Sequence, residues 1–353
     1  MVIPISTAPR CWLDGIEDWW LCPDWGSLMV CGFSPTHASN NDFARCPRIL
    51  LINTLDEFND RYYSKLLIGF EIEFVLLDKS FNRVKSMDQM IGHSMTAGLR
   101  TEYLVVMEEV VTALDLSGIE VHHFHSKAVD QLEIALSPRP AVQAIDALMM
   151  AQETTRTLFL HHELRATMAP KPILNRPQNG CHAHVSLNPA RRDAESFLAG
   201  VLRYLVPLCA FGLANYDSYS RVAGSPICQV TSNRWEFRFL DVTANMYLST
   251  ATIISAGADG MHHGKPLTIR DCQILLSAFS REEARRQVEA YGITEALPMS
   301  LDVAVILAKH DWGFRGWIGK DLFTQYFNVK EKEVEFFSKI TDEERRLKFL
   351  AYF

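Results

Sequence analysis

The run Gly69-Phe70-Glu71-Ile72-Glu73-Phe74 limits the possible folds more than any other stretch of this chain. Side chains alternate across a strand, so Phe70, Ile72 and Phe74 take one face while Glu71 and Glu73 take the other. The apolar three need a core behind them, and the carboxylates need water or partners in front. Three more segments repeat the pattern. Gln131-Leu132-Glu133-Ile134 sets Gln131 beside Glu133, and Cys181-His182-Ala183-His184-Val185 sets two imidazoles together. Trp235-Glu236-Phe237-Arg238-Phe239 sets Glu236 beside Arg238. One such strand alone is an ordinary amphipathic edge strand. Four in one sheet would gather several carboxylates and two histidines on one concave surface.

The strands are read over 66–77, 119–125, 131–136, 181–187 and 234–240. Between them the spacing predicts helices over 48–64, 95–116, 141–168, 194–214 and 243–257, with mostly helical chain beyond 280. This uneven alternation predicts an α+β fold: a curved, mainly antiparallel sheet with helices outside. At 353 residues the chain is long enough for one large domain or about two. It has no internal repeat and no long Pro/Gly-rich linker. A net charge of -7 argues against a nucleic-acid surface or a polybasic membrane surface. No apolar run approaches the about 20 residues that span a bilayer, which predicts no membrane partner. Met1-Val2-Ile3-Pro4 opens without a basic region or a long apolar stretch, so no secretory signal is expected. The 8 cysteines are scattered and form no CxxC pair, which predicts reduced thiols in a cytoplasmic protein.

Crowded carboxylates repel, and burying them unpaired is costly, so cations are their natural counter-charge. Mostly oxygen donors with an imidazole suit Mg²⁺ or Mn²⁺, not a thiolate zinc site. Two such ions flanked by arginine make a phosphoryl-transfer arrangement. No Walker A loop and no GxGxxG is present, so ATP, if used, is not held on a glycine-rich loop.

Taken in order, these segments resemble the catalytic domain of glutamine synthetase over roughly 45–350. The first run matches that family's G-x-E-x-E-F strand. Residues 166–172, Ala-Thr-Met-Ala-Pro-Lys-Pro, and 180–187, Gly-Cys-His-Ala-His-Val-Ser-Leu, are similar to its A-T-F-x-P-K-P and G-M-H-x-H-x-S-L signature. Asp217-Ser218-Tyr219-Ser220-Arg221 resembles N-S-Y-K-R, and 234–248 resembles R-x-E-x-R-x-x-D followed by A-N-P-Y-L. The resemblance implies a half-barrel sheet and an ATP-dependent reaction in which a carboxylate becomes an acyl phosphate that an amine converts to an amide. It implies Glu71, His182 and Glu236 around one divalent ion, with Glu73 and Glu133 at another. Arg221 and Arg238 would bind the substrate carboxylate or acyl phosphate, and His184 would lie near the nucleotide phosphates. A small acid and an amine are the implied substrates, and a homo-oligomer the implied assembly.

The chain departs from that pattern at several places. The third ligand at the second ion should be a Glu seven or eight residues before Glu133, where Ser126 and His125 stand with Lys127 adjacent. His125 can substitute as a ligand; a lysine ammonium can instead replace the ion outright. The N-G-S-G substrate loop reads Pro177-Gln178-Asn179-Gly180. The span from Arg221 to Arg234 is too short for two further arginines of the family, so Arg234 stands in for one of them only if the backbone rearranges. Residues 1–46 are expected to be a short segment in place of a full N-terminal β-grasp domain, with 47–353 forming the catalytic domain. His122, His123, His161 and His162 are read as surface or helix-packing residues, and Cys181 as packing. The expected activity is a divergent ATP- and metal-dependent carboxylate–amine ligase. The alternatives are a non-catalytic scaffold or sensor, or a metal enzyme that no longer uses ATP.

Overall fold

In the computed structural model, which describes residues 45–82, 84, 103–127, 131–174, 178–221, 226–270 and 281–353, the first run lies inside a long strand, β1 (Lys65–Leu77). Around it form β2 (Val121–Ser126), β3 (Gln131–Leu136), β4 (Arg139–Pro140), β5 (Arg165–Thr167), β6 (Cys181–Asn188), β7 (Ile227–Thr231) and β8 (Arg234–Phe237). The main order is β2-β3-β1-β6-β8-β7, with β4 and β5 also paired to β1. Every pairing is antiparallel. Among the described residues the sheet is open, with β2 and β7 at its edges and not closed on each other.

The helices are α1 (Pro47–Tyr62), α2 (Tyr103–Leu116), α3 (Ala141–His161), α4 (Ala194–Arg203), α5 (Leu205–Gly212) and α6 (Met246–His262). They continue as α7 (Arg281–Glu289), α8 (Leu301–His310), α9 (Trp312–Ile318), α10 (Lys320–Phe337) and α11 (Asp342–Tyr352). The apolar face of the sheet rests on this layer. Phe74 of β1 meets Phe159 of α3 edge-on with ring centroids 5.7 Å apart, and Trp235 of β8 stacks on Phe197 of α4 at 5.4 Å. Phe70, Ile72, Phe74, Trp235 and Phe237 are all buried, as the alternation demands. That leaves the opposite face to the charged residues.

The structure corrects several sequence-based boundaries. The helix over 141–168 ends at His161; Glu163 takes a positive φ of 65°, and Arg165–Thr167 turns back to pair with β1. Apolar residues at 164, 166 and 168 serve a strand as well as a helix, and the open edge of β1 decides between them. The helix over 194–214 breaks at Tyr204 into α4 and α5, which bend by 77°. Pro207 causes this: it has no N–H for the Arg203 carbonyl, and its ring would clash there. The last strand stops at Phe237, and α6 begins at Met246, where the Asn245 side chain accepts from Leu248 N at 3.1 Å. The structure adds a strand, β7, which joins β8 through a tight turn at Ser232 and Asn233.

Residues 1–44, which carry nearly all of the expected N-terminal segment, lie outside the described residues, as does 95–102 of the second helix. Among the described residues no single helix is long and apolar enough to cross a membrane. The described cysteines Cys46, Cys181, Cys209 and Cys228 are free thiols, and Cys181 is buried as a packing residue.

Candidate active site

Strand register builds the site. Glu73 on β1 stands opposite Glu133 on β3, and Glu133 stands opposite His125 on β2. On the other side Glu71 pairs with His182 on β6, while His184 pairs with Glu236 on β8. The expected groups therefore meet on one polar face, in two clusters that share β1.

In the first cluster His182 Nδ1 lies 3.2 Å from Glu236 Oε1 and 3.4 Å from Glu71 Oε2. Neither contact has hydrogen-bond geometry, so this nitrogen is orphaned although His182 is only 4% exposed. His184 Nε2 lies 2.7 Å from Glu71 Oε1. Ligand atoms of Glu71, His184 and Glu236 fall within 4.8 Å of one another. Burial would push the Glu71 carboxyl up, but the adjacent His182 and His184 hold it well below the usual carboxylate range. Glu236 is lowered in the same way: His182 and Arg238 outweigh its burial. Burial would lower His182, yet Glu236 and Glu71 raise it. Two ionised oxygens and a buried imidazole nitrogen without a hydrogen-bond partner form a donor set that fits Mg²⁺ or Mn²⁺.

The second cluster is closed by a lysine. Lys127, just past the end of β2, places Nζ 2.6 Å from Glu73 Oε1 and also donates to Glu133 Oε2. Glu73 Oε2 accepts from the Gly180 backbone N–H at 2.5 Å and from Gln131 Nε2 at 3.2 Å. Glu133 Oε1 faces His125 Nε2 at 3.2 Å. Burial pushes the Glu133 carboxyl up, but His125 and Lys127 bring it below its ordinary value. The Glu133 contact raises His125 above its own.

The arginines differ in setting. Arg238 is half-exposed, with Nε 3.0 Å from Glu236 Oε1, and Arg234 on the exposed side approaches His184 Nδ1 at 3.4 Å. The Arg221 side chain is largely covered instead, 7% exposed. Its Nη2 donates to the backbone carbonyls of Arg238 and Leu240 at 2.8 and 2.9 Å, so it ties down the strand end that carries Glu236.

Two residues matter more than the sequence indicated. Asn179 is fully buried: Nδ2 donates to the carbonyls of Thr167 and Ala169, each at 3.0 Å, and Oδ1 accepts from Gln131 at 2.9 Å. Gly180 lies so close to the site that a Cβ there would meet His182 Nε2 at 2.5 Å. The Gln-Asn-Gly order in a loop after Pro-Lys-Pro was the only available signal. His122, His123, His161 and His162 are exposed, as expected.

A family model for the glutamine synthetase catalytic domain matches residues 44–228 and 225–348. Protein fluG of Emericella nidulans is 34% identical over 330 residues; the match covers 87% of this chain but only 38% of that protein's length. Glutamate–methylamine ligase of Methyloversatilis universalis is 25% identical over 352 residues, covering 87% of this chain and 77% of the relative. The solved structure of apo GmaS without ligand shares the fold with a TM-score of 0.73 at 23% identity, covering 86% of this chain and 76% of that one.

Proposed function

The chain belongs to the glutamine synthetase family, and from that premise we propose that it is an ATP- and divalent-metal-dependent carboxylate–amine ligase. A small, glutamate-like acid takes the γ-phosphoryl group of ATP on a carboxylate oxygen, and ADP leaves. An amine then attacks the acyl carbon, expels phosphate and loses a proton, leaving an amide. The relative named for glutamate and methylamine supports an amine other than ammonia.

The observation that carries this reading is the orphaned, buried Nδ1 of His182 between the carboxylates of Glu71 and Glu236. These three residues would hold Mg²⁺ or Mn²⁺, with His184 beside them. Bound there, the ion would offset charge on the phosphoryl oxygens. Arg238 and Arg234 add guanidinium charge where an acyl phosphate or nucleotide has to be neutralised. Arg221 fixes the backbone beneath them. Assembly into a homo-oligomer and a cytoplasmic location complete the proposal; the scattered free thiols support the location.

The test supplies ATP, Mn²⁺, glutamate and methylamine, and follows ADP, phosphate and amide. Equal amounts of all three, requiring acid, amine and metal, are expected, with a fall of about 100-fold or more in Glu236→Gln. Nucleotide turnover that ignores the acid and amine would reject the proposal. One observation favours a second reading. Lys127 already neutralises Glu73 and Glu133, which suits a protein that keeps one metal ion and has dropped ATP, as a sensor or a different enzyme. Calorimetry that finds metal binding but no nucleotide binding selects that alternative.

A further inference from the structure

The cluster built on Glu73 and Glu133 does not fit a second divalent ion. Three of the four carboxylate oxygens already accept hydrogen bonds, from Lys127 on one oxygen of each residue and from Gly180 N–H and Gln131 on the other Glu73 oxygen, while His125 Nε2 stands 3.2 Å from the fourth. The ammonium does not arrive by chance of a long side chain. The Lys127 backbone N–H donates to the Gln131 carbonyl at 2.8 Å, and this bond to the start of β3 fixes the root of the side chain. Its side chain is only 15% exposed, so the ammonium has exchanged water for carboxylates. Removing one partner from such a buried group leaves its counter-charges uncompensated, which is strongly destabilising.

We propose that the Lys127 ammonium is a tethered substitute for a second divalent cation, so that this chain binds one divalent ion per site and not two. Lys127 supplies a single positive charge, always present and independent of metal concentration. The inference rests on the ligase reading only for the ion at Glu71, His182 and Glu236. The competing arrangement is a displaced second seat at His123, His125 and Glu133, whose ligand atoms also lie within 4.8 Å of one another.

The experiment counts Mn²⁺ bound to the full chain by isothermal titration and by electron paramagnetic resonance, for wild type, Lys127→Ala and the similarly sized Lys127→Met, with melting curves to confirm folding. One ion on wild type and two on a folded Lys127 variant are expected, with Mn²⁺ raising the melting temperature of the variant more than that of wild type. Two ions on wild type overturn the inference, as does an unchanged count of one on both folded variants. If both variants fail to fold even with Mn²⁺ present, the wild-type count alone decides. No ion on wild type but one on the variants upholds the lysine's role while removing the metal seat on which the ligase reading depends.

Discussion

Gly180 has to be glycine because two groups of the site converge on its missing side chain. A Cβ would come within 2.5 Å of His182 Nε2 and 3.0 Å of Arg221 Nη1, and the buried imidazole has nowhere to retreat. Gly180→Ala should therefore displace His182 from Glu71 and Glu236, weakening Mn²⁺ binding by about 10- to 100-fold, the usual scale for loss of a supporting contact. Titration calorimetry reads this directly, and an unchanged affinity would place the metal elsewhere. Asn179→Ala acts differently. It leaves the buried Thr167 and Ala169 carbonyls without their Asn179 donor, so a loss of about 1–3 kcal/mol is expected in denaturant unfolding. At this scale much was legible in the sequence. Strict alternation puts Glu71, Glu73, Glu133, His182 and Glu236 on the polar side of their strands, and register does the rest. The backbone N–H of Gly180 and the reach of Lys127 were not legible to the same degree, because both sit outside the periodic segments and depend on how loops return to the sheet.

The pairing of α4 with α6 is a contact of backbones. A Cβ on Gly200 would lie 2.2 Å from the Ala256 carbonyl oxygen, and one on Gly260 would lie 2.2 Å from the Ser196 carbonyl oxygen. Neither obstacle is the end of a flexible side chain, so a larger residue forces the helices apart. Gly260→Val should cost about 1–3 kcal/mol from overpacking, and more where the shift also loosens the stack of Phe197 on Trp235 beneath β8. A melting temperature equal to wild type would show that the helices can separate freely. Element boundaries were harder to read than element types. Residues 165–167 carry spacing that suits either a helix or a strand, and only the free edge of β1 assigns them to the sheet. Pro207, by contrast, marked the break between α4 and α5 in plain sight; the continuous apolar spacing around it hid the break.

Over the whole molecule, the C-terminal helix is locked to the site's supporting layer by a buried ion pair. Arg345 Nε donates to Asp217 Oδ1 at 2.5 Å, and the Arg345 guanidinium lies over the Tyr216 ring at 4.6 Å. Burial raises the Asp217 carboxyl above its ordinary value, and Arg345 limits that rise. Arg345→Leu should cost about 3–5 kcal/mol near neutral pH, since it strands a buried carboxylate. In the variant the folded state holds the Asp217 proton more tightly than the unfolded chain, whose carboxyl titrates near about 3.9. Stability in that case is fully present below the unfolded value and is lost as pH rises through the folded one. The variant's deficit should shrink as pH falls from neutral towards about 3.9, and a deficit that stays the same at every pH would contradict this. The ordered series of motifs made the α+β architecture and its open antiparallel sheet legible; the tie between Asp217 and Arg345 was not, because it joins segments far apart in the chain. The central claim is that opposed carboxylates and imidazoles on neighbouring strands make a seat for a metal ion. Anomalous diffraction from crystals grown with Mn²⁺ tests it most directly: one peak per chain among Glu71, His182 and Glu236 is predicted, and no peak there, with those side chains turned outward to solvent, would contradict the account.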